Sequence, residues 1–451
     1  MDDWASIELR GSNFGHERFR PNAIKVLTRL GENPGLSFSA ACGPAVRKSA
    51  NRLFSRSDID LQQGHVEQTV QRCSGQALVL ALEDTTDVNY DRHKDKKGMG
   101  HLGGPRDIRG INIHSVLCAS EQGEPLGLIG QYIWAPAKSK SKSKVDGIHL
   151  RKLPIEEKES MKWIRLMRDV NQAFGDKRGQ VLVIADREGE FYEHFSEPRK
   201  TNIDLLVRGN HMERKIFFKG QKCKVLDLPD LVEVQQTYTM TVQRQKDREE
   251  REAQIGVRYG SIEYPPTVDR KGAVITLSFV HAAEINYSEE DKIEWYLFTS
   301  MVIESVEQAR KLITFYSKRW TIERFHYILK TGLKIEKVQI DTFGRLKNAL
   351  ELYSIVAWRI LWLAYVGKVK PQAQAKAVFE QSQIEILENL NQKKIMTVRD
   401  FLLAMGKLVG FQTSKKQPLP GEKLLWQAYG QLMQIQRGFE LAGKLKFSGT
   451  G

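Results

Sequence analysis

Cysteine is scarce and poorly placed for metal: Cys42, Cys73, Cys118 and Cys223 are scattered, with no C-x-x-C among them. That spacing excludes the usual structural zinc sites and fits reduced thiols that serve as packing residues in a cytosolic protein. Long apolar runs are missing too. No segment approaches about 18 consecutive apolar residues, and Met1-Asp2-Asp3-Trp4 has none of the marks of a secretory leader, so no membrane role is expected. There is no internal repeat at solenoid periods. Acid is in deficit: 55 Asp and Glu stand against 69 Lys and Arg, a formal charge of +14. Such a balance points to a polyanionic partner, nucleic acid before anionic membrane.

At 451 residues with 41% hydrophobic content, the chain has room for two or three domains and a sizeable core. Residues 1–62 read as a small helical unit. Arg18, Arg20, Lys25 and Arg29 fall in one helix-like segment, and Arg47, Lys48 and Arg52 in a second one after the turn-rich N-P-G at 33–35. Solvated faces often look like this, but the arginine density and overall charge favour contact with DNA phosphates. From Ala77 to Asp84 runs A-L-V-L-A-L-E-D, an apolar strand ending on acid, followed by a hairpin of Ile111–Ala119 and Pro125–Trp134. K-S-K-S-K-S-K at 138–144 reads as a low-complexity basic linker. A helix near 156–173, the strand V-L-V-I-A-D at 181–186, a short helix and the strand 202–208 follow. This order of strand, hairpin, helix, strand, helix, strand fits a ribonuclease-H-like mixed sheet. Between about 212 and 290 three segments alternate with period two, as in an all-β insertion. After the strand 294–300 the chain is helical, which gives a catalytic domain of 63–370 carrying the 212–290 insertion and a C-terminal helical domain of 371–451.

The stretch F-Y-S-K-R-W-T-I-E-R-F-H-Y-I-L-K-T-G at 315–332 has no Gly or Pro before Gly332 and reads as one helix. At about 100° per residue, Tyr316, Arg319, Glu323 and Lys330 lie within about 60° of one line. Phe315, Ile322, Phe325 and Leu329 form an apolar stripe opposite. The polar row also fits a solvated face with an i,i+4 pair of Arg319 and Glu323. Two features argue against that: the large aromatic Trp320 sits close to the row, and two strand-end acids, Asp84 and Asp186, need an acidic partner. Three carboxylates brought together repel one another unless a cation neutralises them. Oxygen-only ligands favour Mg²⁺ or Mn²⁺, and two such ions about 4 Å apart suit phosphoryl transfer.

The motifs L-E-D-T-T at 82–86, R-G-I-N-I-H-S-V at 109–116, E-K-E-S at 157–160, A-D-R-E at 185–188, V-R-G-N-H at 207–211 and the run at 316–332 are together recognisable. The chain resembles the bacterial cut-and-paste DDE transposases of the insertion-sequence-four family over nearly its whole length. The Y-(2)-R-(3)-E-(6)-K spacing from Tyr316 to Lys330 is the most specific element. The resemblance implies a metal-binding catalytic triad of Asp84, Asp186 and Glu323 with two ions per site. It implies phosphate contacts from Tyr316, Arg319 and Lys330, a flipped base stacked on Trp295, and Trp320 near a DNA hairpin. Either tryptophan could equally be a core residue. Arg208 and His211 match positions beside the transferred end, and Arg18 and Arg52 match N-terminal contacts to the transposon end. Where relatives have paired tryptophans before H-S-V, this chain has Ile111-Asn112.

The activity implied is a 3′ nick by water, hairpin formation by the freed 3′-OH, hairpin opening, and strand transfer into target DNA. The partners implied are double-stranded transposon ends, target DNA, and a second subunit in a homodimer assembled on paired ends. The C-terminal helices, with Leu424, Leu425, Trp426, Leu432 and Met433, are the expected dimer interface. A bacterial cytoplasmic location, associated with the nucleoid, goes with that activity. Two other readings stay open: a non-catalytic DNA-binding regulator, and a stand-alone nuclease that cuts without joining.

Overall fold

The computed structural model describes residues 4–103, 108–137, 144–145, 148–149, 153–175, 179–242, 250–267, 271–287, 292–415 and 417–444. Most of the basic run 138–144 lies outside them. The N-terminal part is helical, with α1 (Trp4–Glu8), α2 (Arg20–Glu32), α3 (Phe38–Phe54) and α4 (Gln63–Cys73). Ser37 caps α3 by accepting from the Ala40 N–H, and Gly43, at φ 67°, kinks it ahead of Pro44. A left-handed backbone is inexpensive only for glycine.

The sheet begins with β1 (Leu78–Asn89), β2 (Gly100–His101), β3 (Arg109–Ser120) and β4 (Pro125–Trp134). A two-strand ribbon of β5 (Lys144–Val145) and β6 (Ile148–His149) precedes α5 (Met161–Phe174), β7 (Gln180–Ala185), α6 (Tyr192–Ser196) and β8 (Ile203–Arg208). The expected β3–β4 hairpin forms, and its turn uses Gly123 at φ 92°. β1 pairs antiparallel with β3 and parallel with β7, and β7 pairs parallel with β8. The resulting order β4-β3-β1-β7-β8 is the mixed five-stranded arrangement of a ribonuclease-H-like sheet.

Next come β9 (Lys215–Phe218), β10 (Gln221–Lys224), α7 (Leu228–Leu231), β11 (Gln236–Val242), β12 (Arg251–Tyr264), β13 (Ile275–Glu284) and β14 (Glu294–Thr299). The period-two segments are strands as expected. They do not stand apart, because β14 pairs with β8, so the β-rich segment continues the core sheet to 12 strands.

The remaining elements are α8 (Val306–Ser317), α9 (Trp320–Tyr327), a π-helical turn Ile328–Gly332, α10 (Phe343–Val369), α11 (Gln381–Asn391), α12 (Val398–Lys407) and α13 (Glu422–Lys444). The single helix expected over 315–332 is therefore broken. The N–H groups of Lys318, Arg319, Thr321 and Ile322 each bond three residues back, which tightens the backbone between α8 and α9. The apolar stripe survives the break, with Phe315, Ile322, Phe325 and Leu329 all buried.

α10 is long and apolar enough by composition to cross a membrane, but 78% of its apolar window is buried inside the protein. It is a central core helix that meets α2, α3, α9, α12 and α13. The C-terminal expectation needs correcting: Leu425, Trp426, Leu432 and Met433 are buried in the chain's own core and Leu424 is half-buried. The exposed apolar residues on α13 are instead Phe439 and Leu441.

The N-terminal helices are fastened to the sheet by a buried polar knot. Glu8 accepts from His65 Nδ1 at 2.5 Å and from Arg72 Nη1 at 2.8 Å. His65 Nε2 accepts the Leu128 N–H of β4, and the Arg72 guanidinium lies over the Trp358 ring of α10. Burial pushes the Glu8 carboxyl up, but His65 and Arg72 outweigh it and hold it down at about 2. A displacement of that size corresponds to about 3 kcal/mol. Because the folded pKa is depressed, the stabilisation is full above the ordinary carboxylate range and is lost as pH falls through about 2. Glu8→Gln should cost about 3 kcal/mol in urea unfolding at pH 7. The gap to wild type should shrink steadily between about pH 4.5 and 2; a gap that does not depend on pH would refute this account.

Candidate active site

Side-chain alternation in two parallel strands sets the site. In β1, Leu80 and Leu82 enter the core shared with α9 and α10, while Val79 and Ala81 enter the core beneath α5. The same alternation carries Asp84 to the first face and Glu83 to the second. In β7, Leu182 and Ile184 share the face of Leu82, which carries Asp186 to that side as well. Leu82 pairs with Ile184. Two residues further along each strand, Asp84 therefore stands level with Asp186.

α9 lies over this face and brings Glu323. Arg319 joins the group: its Nη1 lies 3.5 Å from Asp84 Oδ1, and its Nη2 donates to Glu323 Oε1. Burial above all, with Asp84 and Glu188 adding to it, raises the Asp186 pKa, although the Glu188 N–H bonds its carboxylate and Arg319 opposes the rise. The Arg319 guanidinium loses water, which would lower its pKa, but Tyr316, Asp84 and Glu323 raise it on balance. Glu83, on the other face, is fully buried with neither carboxyl oxygen hydrogen-bonded, and burial drives its pKa well up. It faces away from the cluster, although the Asp169 and Asp186 charges add to that rise.

All three predicted carboxylates are thus gathered in one place with oxygen-only chemistry, which suits a hard divalent cation. Among the described residues no three His, Cys, Asp or Glu groups stand close enough to enclose an ion. Arg319 supplies the neutralising charge to Asp84 and Glu323 instead. The donor chemistry fits a metal, and completing the set requires Glu323 to exchange Arg319 for it.

A cavity of ≈ 760 Å³ is lined by Arg187, which follows Asp186, with Arg208, Lys292, Trp295 and Ser317. Trp295 meets the buried Tyr316 edge-on at 5.1 Å between centroids, and the Arg208 guanidinium lies 5.8 Å from the Trp295 ring centre. Burial lowers the Arg208 pKa. His211 is exposed, and its backbone N–H donates to the buried Glu190, which also accepts from Asn210 and from the Tyr264 hydroxyl. Trp320 is 62% exposed, so it is not a core residue. Lys330 is half-buried on the π turn, whereas Arg18 and Arg52 are exposed on the N-terminal helices, outside this cluster.

Residues 162–359 match the family described as "Transposase DDE domain", and residues 1–59 match "Transposase DNA-binding". The DDE match begins at Lys162 and so includes Asp186 and Glu323, while Asp84 precedes it. A solved structure, the cryo-EM structure of a piggyBac transposase synaptic complex with hairpin DNA, aligns over 96% of this chain and 77% of its own at 11% identity and a TM-score of 0.37. That likeness is too remote to carry residues across.

Two residues within 162–359 escaped the sequence reading. Glu190 fixes the 209–211 loop, and nothing in R-E-G-E distinguishes it from a surface acid. His326 is buried with its Nδ1 3.3 Å from Asp84 Oδ2. Its signal was available: it stands one helical turn from Ile322, on the apolar stripe. The Arg319–Glu323 pair is open to direct measurement. A double-mutant cycle of Arg319→Ala and Glu323→Gln, read by urea unfolding without metal, should give a coupling of about 1 kcal/mol. Strict additivity would mean that the guanidinium does not neutralise Glu323.

Proposed function

We propose that this protein is a DNA transposase that excises and inserts a mobile element by metal-dependent phosphoryl transfer. The supporting observation is that Asp84 and Asp186 stand level on adjacent strands with Glu323 brought over them, in a chain that matches both a DDE and a transposase DNA-binding family. The finer likeness is to the insertion-sequence-four group and within it to the transposon-five transposase. It supports a cut-and-paste route: a 3′ nick by water, attack of the freed 3′-OH on the opposite strand to give a hairpin, hairpin opening, and strand transfer. The domain division 1–62, 63–370 and 371–451, a homodimer on paired DNA ends and a bacterial cytoplasmic location belong to the same reading.

Asp84, Asp186 and Glu323 would hold Mg²⁺ or Mn²⁺, which when bound supplies charge neutralisation at phosphorus and a more acidic attacking oxygen. The chain's own contribution is orientation. Arg319, once released from Glu323, is placed to meet a phosphate, and Arg208 with Trp295 offers charge and a stacking face for an unpaired base. The exposed Arg18 and Arg52 would hold duplex backbone.

The deciding experiment incubates the protein with Mg²⁺ or Mn²⁺ and a labelled duplex carrying the DNA that flanks its gene, resolved on a denaturing gel. A nick followed by a hairpin-length species is expected, reduced at least about 10³-fold by Asp84→Ala or Glu323→Ala with DNA binding retained. Joined products would reject the stand-alone nuclease, and binding without any nick would favour the regulator. In a separate salt titration, Arg18→Ala combined with Arg52→Ala should flatten the slope of log K against log salt by about 2, near 0.9 for each lost phosphate contact. An unaltered slope would remove both arginines from the DNA interface.

A further inference from the structure

Four residues lie in one lateral row across adjacent strands. Gln131 of β4 pairs with Ser115 of β3, Ser115 pairs with Asp84 of β1, and Asp84 stands level with Asp186 beyond β7. His326 of α9 lies over this row. Its Nδ1 is 3.3 Å from Asp84 Oδ2, within ion-pair range but hydrogen-bonded neither to it nor to any other group, and its Nε2 is 3.4 Å from Ser115 Oγ. Behind it, Gln131 Nε2 donates to Ser115 Oγ at 2.9 Å, and Gln62 Nε2 donates to Gln131 Oε1 at 2.5 Å.

Gln62 donates to Gln131 and Gln131 donates to Ser115, which leaves the Ser115 hydroxyl hydrogen available to His326 Nε2. In that arrangement the imidazole carries its proton on Nδ1, facing Asp84. Each link polarises the next toward the carboxylate, and Ser115 and His326, the two links nearest to it, are buried, while Gln131 is half-buried beside a cavity that it lines with Gln62. On the other side, Asp84 Oδ1 faces Arg319.

We propose that His326 is a positioning residue for Asp84: with Ser115 and Gln131 behind it, it fixes the rotamer of the carboxylate and leaves Oδ1 free to face a divalent cation. The inference rests on the metal-carboxylate reading of the site. Partners that orient a metal ligand from behind usually matter about 10–100-fold in affinity.

The test is Mn²⁺ binding by the full-length chain, read from the electron paramagnetic resonance signal of the free ion, with circular dichroism to verify folding. The two amides separate the two ends of the imidazole. Asn places an N–H where Nδ1 stands, toward Asp84, and Gln places one where Nε2 stands, toward Ser115. His326→Ala and His326→Gln should weaken Mn²⁺ binding about 10–100-fold, while His326→Asn should stay within about threefold of wild type. Wild-type affinity in His326→Ala, or rescue by Gln and not by Asn, would overturn the proposal. Should His326→Ala fail to fold, Ser115→Ala decides. It removes one buried oxygen and should weaken binding about threefold, and unaltered binding there would sink the idea. Asp84→Asn is the control for the underlying reading. If it binds Mn²⁺ as wild type does, the carboxylate metal site falls and this inference with it; if it loses binding while His326→Ala does not, this inference falls alone.

Discussion

Two carboxylates held side by side out of bulk water is the condition to which the rest of the protein answers. Nothing favours the proximity of Asp84 and Asp186, since burial and the nearby Asp84 charge both oppose ionisation of Asp186. They are together because the parallel β1–β7 ladder, with apolar side chains on both faces, is too costly to shift. A slip of one residue would send Asp84 toward α5 and exchange the apolar side chains packed on the two faces. The sheet therefore supplies the free energy that keeps the charges close, and Arg319 supplies the countercharge. A site arranged like this is poised for a cation, because an arriving ion displaces a guanidinium already paired with two of the three acids rather than having to gather them.

The two faces of the sheet treat the same chemistry in opposite ways. Glu83 and Asp84 are consecutive, yet one is fully buried without a hydrogen bond, 4.0 Å from the buried His114, and the other opens on a cluster of partners. Burial, with Asp169 and Asp186 adding to it, drives the Glu83 pKa well up. The parity of the strand alone decides which acid of the motif L-E-D faces Arg319 and which faces the core beneath α5.

Parity is also why so much could be read from sequence. Apolar runs ending on acid at 84 and 186, and period-two alternation from Gln236 to Glu284, are local patterns with a local cause, and the strands form where the pattern places them. The gap between α8 and α9 has no such cause. It occurs without Gly or Pro, through hydrogen bonds that contract to three-residue spacing where α9 settles on the sheet. The same holds for the pairing of β14 with β8, and for Leu425, Trp426, Leu432 and Met433. An amphipathic stripe states that a face will be covered and says nothing of whether the cover is another part of the chain. His326 was missed for a related reason: a histidine on an apolar stripe is visible, but its partner is a strand 211 residues away from Ser115 to itself.

The N-terminal helices do not behave as a tethered reader of DNA. Leu9, Leu27 and Leu53 belong to the same continuous core as Leu82, Ile184 and Phe325, with α10 passing between the two regions. The knot of Glu8, His65 and Arg72 adds a polar lock where α1 meets β4 and Trp358. Separate domains usually move against one another across small polar contacts, whereas a shared apolar core of this kind resists such motion. The arginines on the N-terminal helices are therefore fixed in space relative to Asp84. Under the transposase proposal, binding energy gained at a duplex backbone would then act on the position of the scissile phosphate, the condition under which contacts remote from the chemistry raise its rate.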